Sequence, residues 1–334
     1  MSPTDFPAII PAPSSLKIAP TKWLVPAQVA ISAPPEHADL VELGNEIWRT
    51  WRMGEPFVAT GESGIVCEID DDFADEEYGL TICDSQVDLR AGGRAGLVHG
   101  MHTLLQLWPE PESADRSIQE CEIHDKPRFA WRGGHLDVCR HFMPNEFIYR
   151  FIDLLALMKF NVFHWHLTED QGWRIEIKRY PKLNEIGAWR AETVIGHARA
   201  PEGYDGKVHG GFYTHEEIRK IVAYACARGI NIVPEIEMPG HAQAAIASYP
   251  ELGNGADNIK PWTTFGVSEH VYNVNPSTFD FLFGVLDEVL ELFPSTHIHI
   301  GGDECPKTEW KSSAQAQQVM KENNLADEDE LQSW

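Results

Sequence analysis

The chain has 334 residues, 43% of them hydrophobic and 23% charged, which is the composition of a soluble globular protein of about two domains. Its 27 basic and 51 acidic residues give a net charge of −24, which disfavours nucleic acid, anionic membranes and polyanionic substrates and favours a neutral substrate. No apolar run approaches the roughly 18 residues of a membrane span, so no membrane-spanning helix is predicted.

The cellular compartment is predicted from the amino terminus and the cysteines. The opening residues, MSPTDFPAIIPAPSSLKIAP, lack the basic and long apolar regions of a signal peptide. No two cysteines have C-x-x-C spacing, which predicts free buried thiols in a reducing compartment, and we therefore predict a cytoplasmic protein. The six cysteines are Cys67, Cys83, Cys121, Cys139, Cys226 and Cys305.

Residues 1–125 are predicted to form a non-catalytic α+β domain. Strands are predicted in WLVPAQVAISAP, GIVCEID and YGLTICDSQVDLRA, the last with partial alternation of apolar and polar residues. The segment AGLVHGMHTLLQLWP predicts a helix that Pro109 stops. His, Cys and carboxylate residues do not combine at ligand spacing here, so no chemistry is predicted in this domain.

From about Pro127 predicted strands alternate with helices, and residues 126–334 are predicted to form the catalytic domain. The predicted strands are FAWRGGHLDV, FNVFHWHL, NIVPEIEM and HIHIGGDE. The predicted helices are MPNEFIYRFIDLLALMK, THEEIRKIVAYACARG and NPSTFDFLFGVLDEVLELF, followed by polar helical residues from about Lys311. Thr214 and Glu217 have the spacing of a capping box, and Gly229 marks the end of the second helix.

This alternation predicts an α/β fold whose parallel strands are joined by right-handed crossovers. The candidates are a doubly wound sheet and a (β/α)8 TIM barrel. No G-x-G-x-x-G follows the first strand, and polar residues follow each strand at its carboxyl end, where barrels place their sites. We therefore favour the barrel. Only about four of its β/α units are predicted, because a full barrel takes about 250 residues and roughly 200 remain here.

The segment HIHIGGDE ends in two adjacent carboxylates, Asp303 and Glu304. A solvated acidic turn is the ordinary interpretation of such a pair, but the two preceding glycines allow a ligand to approach the backbone closely. Adjacent carboxylates repel each other, so one pKa is expected to rise and provide a general acid while the other group stays ionised. Cleavage of a glycosidic bond requires this pairing.

Other polar residues have two interpretations each. His164 and His166 point to one face of a strand, as either a metal site or hydrogen-bonded core histidines. His241 is either structural or changes the pKa of a neighbouring acid, and Arg140 either pairs with Asp137 or binds sugar hydroxyls. Five tryptophans are candidates for sugar-stacking walls or for packing: Trp165, Trp173, Trp189, Trp262 and Trp310.

Four long motifs occur in order along the chain: RGGHLDVCRHF, KFNVFHWHLTEDQGWRIEIKRYPKLNEIGAWR, RGINIVPEIEMPGHAQAA and HIHIGGDE. They closely resemble glycoside hydrolase family 20, the β-N-acetylhexosaminidases. Residues 1–125 also resemble the non-catalytic α/β domain that precedes the barrel in that family, so the resemblance covers nearly the whole chain. It implies hydrolysis of terminal, non-reducing N-acetylhexosamine residues of an oligosaccharide or glycoconjugate.

The resemblance also implies a role for each candidate residue. Glu304 is the general acid/base that protonates the leaving oxygen. Asp303 orients the 2-acetamido group of the substrate, which attacks the anomeric carbon in a retaining, substrate-assisted reaction. Arg140 binds the hydroxyls at positions 3 and 4 of the terminal sugar, and His241 and Glu169 complete the substrate-binding network around the acid. No metal and no cofactor are implied.

Two departures from the family pattern are visible. The position of Glu169 is often Asp in the family, and the extra methylene moves the carboxylate by about 1.5 Å. The later barrel strands, which supply tryptophan walls and a tyrosine that steadies the acetamido oxygen, would follow Trp334. We therefore expect a fragment of a longer hexosaminidase that is inactive and aggregates when expressed alone.

Two alternatives stay open at this point. A metal-dependent amidohydrolase would use His164 and His166, and metal analysis of the purified protein would detect it. A non-catalytic sugar-binding fragment is the other, and the missing half of the barrel favours it. The sequence does not distinguish N-acetylglucosamine from N-acetylgalactosamine as the substrate sugar, or define the natural glycan or the oligomeric state.

Overall fold

The computed structural model describes residues 8–52, 54–59 and 64–334. Residues 1–7, which belong to the segment inspected for a signal peptide, lie outside the described residues. The chain divides into two compact units: Met1–Arg132 with Arg150–Asn161 and Ala225–Ile230, and Gly133–Tyr149 with Val162–Tyr224 and Asn231–Trp334. Among the described residues, no helix has the length and apolar character needed to cross a bilayer.

A seven-stranded mixed sheet forms the centre of the first unit, with the strand order β1-β7-β5-β6-β4-β2-β3. Neighbours among β2, β3, β4 and β6 pair in parallel, whereas β5 and β7 pair antiparallel with their neighbours. The strands are β1 (Ser15–Leu24), β2 (Val29–Ser32), β3 (Phe57–Val58), β4 (Gly64–Ile69), β5 (Tyr78–Cys83), β6 (Gln86–Ala91) and β7 (Ser117–Asp125). The helices are α1 (Leu40–Arg52) and α2 (Arg94–Leu107).

Helix α1 was not predicted, although it is strongly amphipathic. Its apolar residues Leu40, Leu43, Ile47 and Trp48 are spaced three or four residues apart for most of the helix and are all buried. The Trp48 ring packs edge-to-face on Phe57, with the ring centroids 4.7 Å apart. The helix therefore supplies part of the core of the first unit.

Two segments predicted as single strands are divided in the structure. YGLTICDSQVDLRA forms the antiparallel hairpin of β5 and β6, because Asp84 and Ser85 take φ values of 49° and 66° and make a tight two-residue turn. WLVPAQVAISAP is divided between the end of β1 and β2, with Pro26 in the gap. Strand β7 was missed, whereas the predicted helix is confirmed as α2.

The second unit contains a three-stranded parallel sheet with the order β16-β9-β8. Its strands are β8 (Gly133–Asp137), β9 (Val162–His166) and β16 (Asn231–Glu235). Short ribbons are formed by β10 (Thr168–Glu169), β11 (Gly172–Trp173), β12 (Trp189–Arg190), β13 (Val194–His197), β14 (Ala200–Tyr204) and β15 (His209–Gly210). Among the described residues, the remaining α-helices are α3 (Asn145–Leu157), α4 (Lys182–Glu185), α5 (His215–Ala227), α6 (Gln243–Ser248), α7 (Pro276–Leu292), α8 (Thr308–Ser312), α9 (Ala314–Asn323) and α10 (Glu328–Ser333).

The register of the three parallel strands aligns their polar carboxyl ends. Asp137 of β8 and Glu235 of β16 both lie opposite His166 of β9. The residues that follow these three strands are therefore brought to one edge of the sheet, as predicted from the clusters after each strand.

The fourth predicted strand, HIHIGGDE, is not formed as a regular strand. Its His299 makes an isolated parallel bridge with Glu235, and its backbone N–H donates to Pro234 O at 3.0 Å. Gly301 and Gly302 then take φ values of 65° and 95°, which ends the extended conformation directly after Ile300. The carboxylates still follow a chain segment that runs beside β16.

All six cysteines lie within the described residues and are free thiols. Burial was predicted correctly for Cys67, Cys121 and Cys139, whereas Cys226 is exposed. Cys83 and Cys305 are half-buried. Burial raises the pKa of Cys67 and Cys121 to about 12, which keeps these thiols protonated and unreactive at neutral pH.

The capping box at the start of α5 is confirmed. The Thr214 hydroxyl accepts the Glu217 N–H at 3.2 Å, and Glu217 accepts the Thr214 N–H at 2.8 Å. Two backbone donors that the helix leaves unpaired are thus satisfied reciprocally.

We expect Thr214→Ala to lower the free energy of unfolding by about 1 kcal/mol, because it removes one acceptor of this cap. Urea denaturation followed by circular dichroism measures the change. Thr296→Ala, at an exposed loop position, is the matched control and should change stability little. Equal stability of the two variants would contradict the assigned cap.

Candidate active site

A continuous series of charged contacts joins four of the predicted site residues. Arg140 Nη2 lies 3.1 Å from Glu169 Oε2. Glu169 Oε1 lies 2.7 Å from His241 Nδ1, and His241 Nε2 lies 3.7 Å from Glu304 Oε2. The fifth residue, Asp303, has a carboxylate oxygen within 4.8 Å of the ring and carboxylate atoms of His241 and Glu304. The structure thus brings together all five residues.

Glu169 is the fully buried centre of this series. Its side chain is 0% exposed, and its two oxygens face different partners, His241 on one side and Arg140 on the other. Burial acts to raise the pKa of Glu169, but hydrogen bonds from His166 and His241 and the charge of Arg140 lower it to about 2. The longer side chain in place of the more usual Asp is therefore accommodated as an ionised bridge between two cations.

His241 is held by carboxylates on one edge of its ring. Nδ1–H donates to Glu169 Oε1, and the same nitrogen lies 3.4 Å from Asp170 Oδ2. Burial acts to lower the pKa of His241, but the contacts with Asp170 and Glu169 raise it to about 11. The imidazole is therefore cationic at neutral pH, and its Nε2 faces Glu304.

We expect His241→Gln to destabilise the protein most below about pH 6.5. A raised folded-state pKa means that the stabilisation by the charged ring is complete below the unfolded-state pKa and is lost as the pH rises towards 11. The difference in unfolding free energy, on the order of a few kcal/mol, should therefore shrink between pH 7 and pH 10. Urea denaturation at several pH values measures it, with the exposed His197→Gln as control. A difference that stays constant with pH would refute the assignment.

Asp303 and Glu304 are accessible, in contrast to the residues behind them. Both are exposed, and the Glu304 side chain is 59% exposed. Glu304 has a φ of 46° and His241 a φ of 50°, values that non-glycine residues rarely adopt. Such strained positions persist only where surrounding contacts hold them, and they concentrate at functional sites. The backbone thus presents the two acids to solvent beside a rigid, buried network.

Of the two glycines before the acids, Gly301 packs against a protein side chain, whereas a side chain at Gly302 would meet only ordinary contacts at 3.8 and 4.0 Å. A side chain at Gly301 would collide with Glu237 Oε2, so a protein carboxylate, not a ligand, takes the space next to this backbone. The side chain of Glu237 is 3% exposed, and the contact places it directly behind the loop that carries Asp303 and Glu304. Close packing of this loop on Glu237, which follows β16, therefore requires glycine at position 301.

Glu237 itself was not among the predicted site residues. Burial and the nearby Glu235 carboxylate raise the pKa of Glu237 to about 8. Its Oε2 has no hydrogen-bond partner among the described residues. The alternation of glutamates in PEIE, with both on one face at the end of a strand, was the signal in the sequence.

Arg140 forms the ion pair with Asp137 that was one of its two interpretations, and it also pairs with Glu169. Its Nη1 lies 2.9 Å from Asp137 Oδ2, and Asp137 Oδ1 accepts the Arg140 N–H at 3.1 Å. The guanidinium stays a quarter exposed, and Nε has no hydrogen-bond partner among the described residues. Nε itself is buried. The guanidinium is therefore fixed in orientation, and its five N–H groups exceed the contacts that Asp137 and Glu169 provide.

An aromatic residue that the sequence did not indicate lies next to this arginine. The Arg140 guanidinium carbon is 5.8 Å from the centroid of the Phe265 ring, and Phe265 is 66% exposed. Asp170 anchors the loop of Phe265, because it accepts the N–H of Ser268 with its carboxylate and that of Trp262 with its backbone oxygen.

Three of the five candidate tryptophan walls are core residues. Trp165, Trp173 and Trp310 are 0%, 1% and 2% exposed, and the ring N–H groups of the last two donate to backbone oxygens. Packing therefore explains these three. Trp262 is half-buried, and Trp189 is 43% exposed.

Three groups of side chains here have atoms close enough to hold a metal ion. They are His166 with Glu169 and Glu237, Glu169 with Asp170 and His241, and His241 with Asp303 and Glu304. Every group contains Glu169 or His241, which already pair with each other at 2.7 Å.

The site as a whole provides an exposed carboxyl pair, a cationic imidazole behind it and a positioned guanidinium. This arrangement suits acid catalysis on a neutral, hydroxyl-rich substrate.

Two family profiles together match nearly the whole chain. The profile "Glycosyl hydrolase family 20, catalytic domain" matches residues 129–334, and "Glycosyl hydrolase family 20, domain 2" matches residues 6–126. The chain belongs to glycosyl hydrolase family 20.

Among curated relatives, a beta-hexosaminidase of Porphyromonas gingivalis is 47% identical over 267 residues, which are 78% of this chain and 33% of that protein. A beta-hexosaminidase of Vibrio furnissii is 42% identical over 279 residues, 81% of this chain and 44% of that protein. The chain thus spans between a third and a half of the length of these relatives.

Solved structures of similar sequence share the fold of this chain. A beta-N-acetylhexosaminidase from Bacteroides fragilis has a TM-score of 0.82 at 33% identity, covering 98% of this chain and 62% of that one. A Vibrio harveyi GH20 exo beta-N-acetylglucosaminidase in complex with N-acetylglucosamine has a TM-score of 0.82 at 34% identity, covering 98% and 52%. The fold is an amino-terminal domain followed by a TIM-barrel-like catalytic domain, and the amidohydrolase and non-catalytic alternatives are not favoured.

Proposed function

We propose that this protein is a β-N-acetylhexosaminidase that removes terminal, non-reducing N-acetylhexosamine residues from oligosaccharides or glycoconjugates. The observation that carries the proposal is the position of the cationic His241 ring between buried Glu169 and exposed Glu304. A carboxyl backed by such a network can exchange a proton with a leaving oxygen and remain oriented while it does so. The beta-hexosaminidase relatives and the N-acetylglucosamine complex of the V. harveyi enzyme support the substrate class.

The proposed reaction is retaining and substrate-assisted. Glu304 donates its proton to the leaving oxygen while the acetamido oxygen of the substrate attacks the anomeric carbon and forms an oxazolinium ring. Asp303 accepts the acetamido N–H and stabilises the positive charge that develops in this ring. Glu304 then takes a proton from the water that opens the ring and restores the acid. Adjacent acids suit this scheme, since neither has to attack from the opposite face of the sugar.

The site belongs, in this proposal, to the first half of an eight-stranded barrel. β8, β9 and β16 would be its first three strands, and the segment of His299 beside β16 its fourth. We also propose the division into a non-catalytic domain, residues 1–125, and a catalytic domain, residues 126–334. The match of family profiles to residues 6–126 and 129–334 supports this division.

A pair of substrates that differ only at carbon 2 tests the proposed function. A form of the protein with the complete barrel should hydrolyse an aryl β-N-acetylglucosaminide and leave the corresponding aryl β-glucoside, which lacks the acetamido nucleophile, nearly untouched. NMR of the first product should show retention of the β configuration. Hydrolysis of the glucoside at a comparable rate, or an inverted product, would refute substrate assistance, and no hydrolysis of either would refute the activity.

We expect Arg140→Lys to lower kcat/KM by about 10- to 150-fold, because hydrogen bonds from a charged group are worth about 1.5–3 kcal/mol. A lysine provides a single ammonium and cannot contact Asp137, Glu169 and a sugar hydroxyl with a planar fork. Steady-state kinetics of the form with the complete barrel, on the N-acetylglucosaminide, measures the loss. Arg179→Lys, away from the predicted site residues, is the matched control, and equal kinetics of the two variants would contradict a binding role for Arg140.

A further inference from the structure

Arg190 is a buried arginine that forms no ion pair within the described part of the chain. It is 3% exposed. Among the described residues, its only hydrogen bond joins Nε to the Thr193 hydroxyl at 2.9 Å. Nη1 is fully enclosed and has no hydrogen-bond partner there. The proposed reaction assigns no role to this residue.

A second buried arginine nearby shows how such a group is usually satisfied. The guanidinium of Arg174 donates to four backbone oxygens, those of Val138, Cys139, Ala188 and Gly211. Buried cations need such acceptors or an acid, because they lose their contacts with water. Arg190 has one acceptor, and burial lowers its pKa. Its two terminal nitrogens therefore keep their capacity to donate to a further acceptor.

Two histidines add donors beside this guanidinium. Arg190 of β12 lies opposite His209 of β15, and side chains paired in this way project to the same face of the ribbon. The ring of His209 packs on that of His141, with the centroids 4.4 Å apart. His209 Nε2 accepts the N–H of Phe142 at 3.0 Å, so in the neutral ring Nδ1 carries the proton and is a donor.

The cluster lies among positive charges. Burial and the charge of Arg190 lower the pKa of His209 to about 4. The pKa of His141 is lowered by burial and by the charges of Arg190 and Arg174. Both rings are therefore neutral at pH 7, and each faces cations that an anion would offset.

Asp205 acts on Arg190 without forming an ion pair with it. Its charge opposes the lowering of the Arg190 pKa by burial. The Asp205 carboxylate is held by backbone groups instead: Oδ1 accepts the N–H of Thr193 at 2.8 Å and that of Lys207 at 3.0 Å. In a chain of net charge −24, Arg190 is thus a cation to which no described acid is paired.

We infer that Arg190, His141 and His209 form a binding site for a small oxyanion, that is, a sulfate, phosphate or carboxylate group. The two terminal nitrogens of a guanidinium lie in one plane and match two oxygens of such a group. The Nδ1–H of His209 and a ring N–H of His141 are further donors for the remaining oxygens.

The position of the cluster leaves two sources for the oxyanion. His141 is exposed and His209 is half-buried, so the cluster is open to solvent on the side of the histidines. His141 directly follows Arg140, which belongs to the active site. The oxyanion is therefore either a free ion or an acidic group on a glycan bound at the active site. The inference concerns binding and does not rest on the proposed activity.

NMR titration with sodium sulfate at constant ionic strength tests the inference, in a form of the protein with the complete barrel and labelled histidines. Sulfate should shift the ring signals of His141 and His209 along a saturating curve with a millimolar or lower Kd. Arg190→Gln should weaken sulfate binding by about 10- to 150-fold, the range for lost hydrogen bonds from a charged group.

Arg199→Gln is the matched control, since it removes an exposed arginine between β13 and β14 and should bind sulfate as the unmodified protein does. Circular dichroism checks that the variants are folded. Should Arg190→Gln fail to fold, the exposed His141→Ala decides, with an expected loss of about 2- to 12-fold read from His209.

The same titration with N-acetylglucosamine 6-sulfate separates the two sources. Tighter binding of the sulfated sugar than of inorganic sulfate supports the site and assigns the oxyanion to a glycan, whereas equal affinity supports the site and assigns it to a free ion. Shifts that grow linearly with sulfate, no shift at all, or equal affinity of Arg190→Gln and Arg199→Gln (adventitious surface binding only) would overturn the site.

Discussion

Glu304→Gln, in a form with the complete barrel, is expected to lose about 10²–10⁴-fold in kcat on N-acetylglucosaminides with poor leaving groups, since glutamine cannot donate a proton to the departing oxygen. The change keeps the size of the side chain and its access to His241 Nε2, which lies 3.7 Å away in the protein. On activated aryl glycosides the loss should be smaller, because these leaving groups need little protonation.

Parallel kinetics on a disaccharide and on an activated aryl substrate measures the effect. Glu322→Gln, an exposed change on α9, is the matched control and should leave both rates unchanged. An equal loss on the two substrates would argue against Glu304 as the general acid. A loss confined to KM would instead indicate a role in binding.

Asp303→Asn is expected to impair the nucleophilic step on both kinds of substrate. An ionised carboxylate accepts the acetamido N–H and opposes the positive charge of the forming ring, and a neutral amide does this poorly. The loss should therefore persist on activated aryl glycosides, where that of Glu304→Gln is reduced. The contrast between the two variants separates the roles of adjacent acids.

A thiazoline analogue of the cyclic intermediate provides a second measurement. It should inhibit the unmodified protein strongly and the Asp303→Asn variant weakly, because complementarity to the reacting state is what the substitution removes. Inhibition constants on both proteins, with Glu322→Gln as control, give the difference. Equal inhibition would mean that Asp303 does not act on the acetamido group.

Features that depend on neighbouring residues or on long motifs could be predicted from the amino-acid sequence alone. The capping box of Thr214 and Glu217 was predictable because both partners lie within one helical turn. The five candidate site residues were selected because each follows a predicted strand within a motif that resembles the family, and their roles stay predictions. The hairpin of β5 and β6 was missed, since alternation continues through the turn at Asp84 and Ser85.

Contacts between residues that are far apart in the sequence became known only from the folded structure. Glu169 contacts His241 across 72 positions of the chain, and no local pattern states which oxygen faces which partner. Gly301 is needed because Glu237 packs on its backbone, a contact that composition does not reveal. Whether Trp165 and Trp173 form a sugar wall or a core depends on burial, which is a property of the assembled fold. Local propensity and spacing reach a few residues along the chain, whereas the packing and strand register that build this site join segments far apart in sequence.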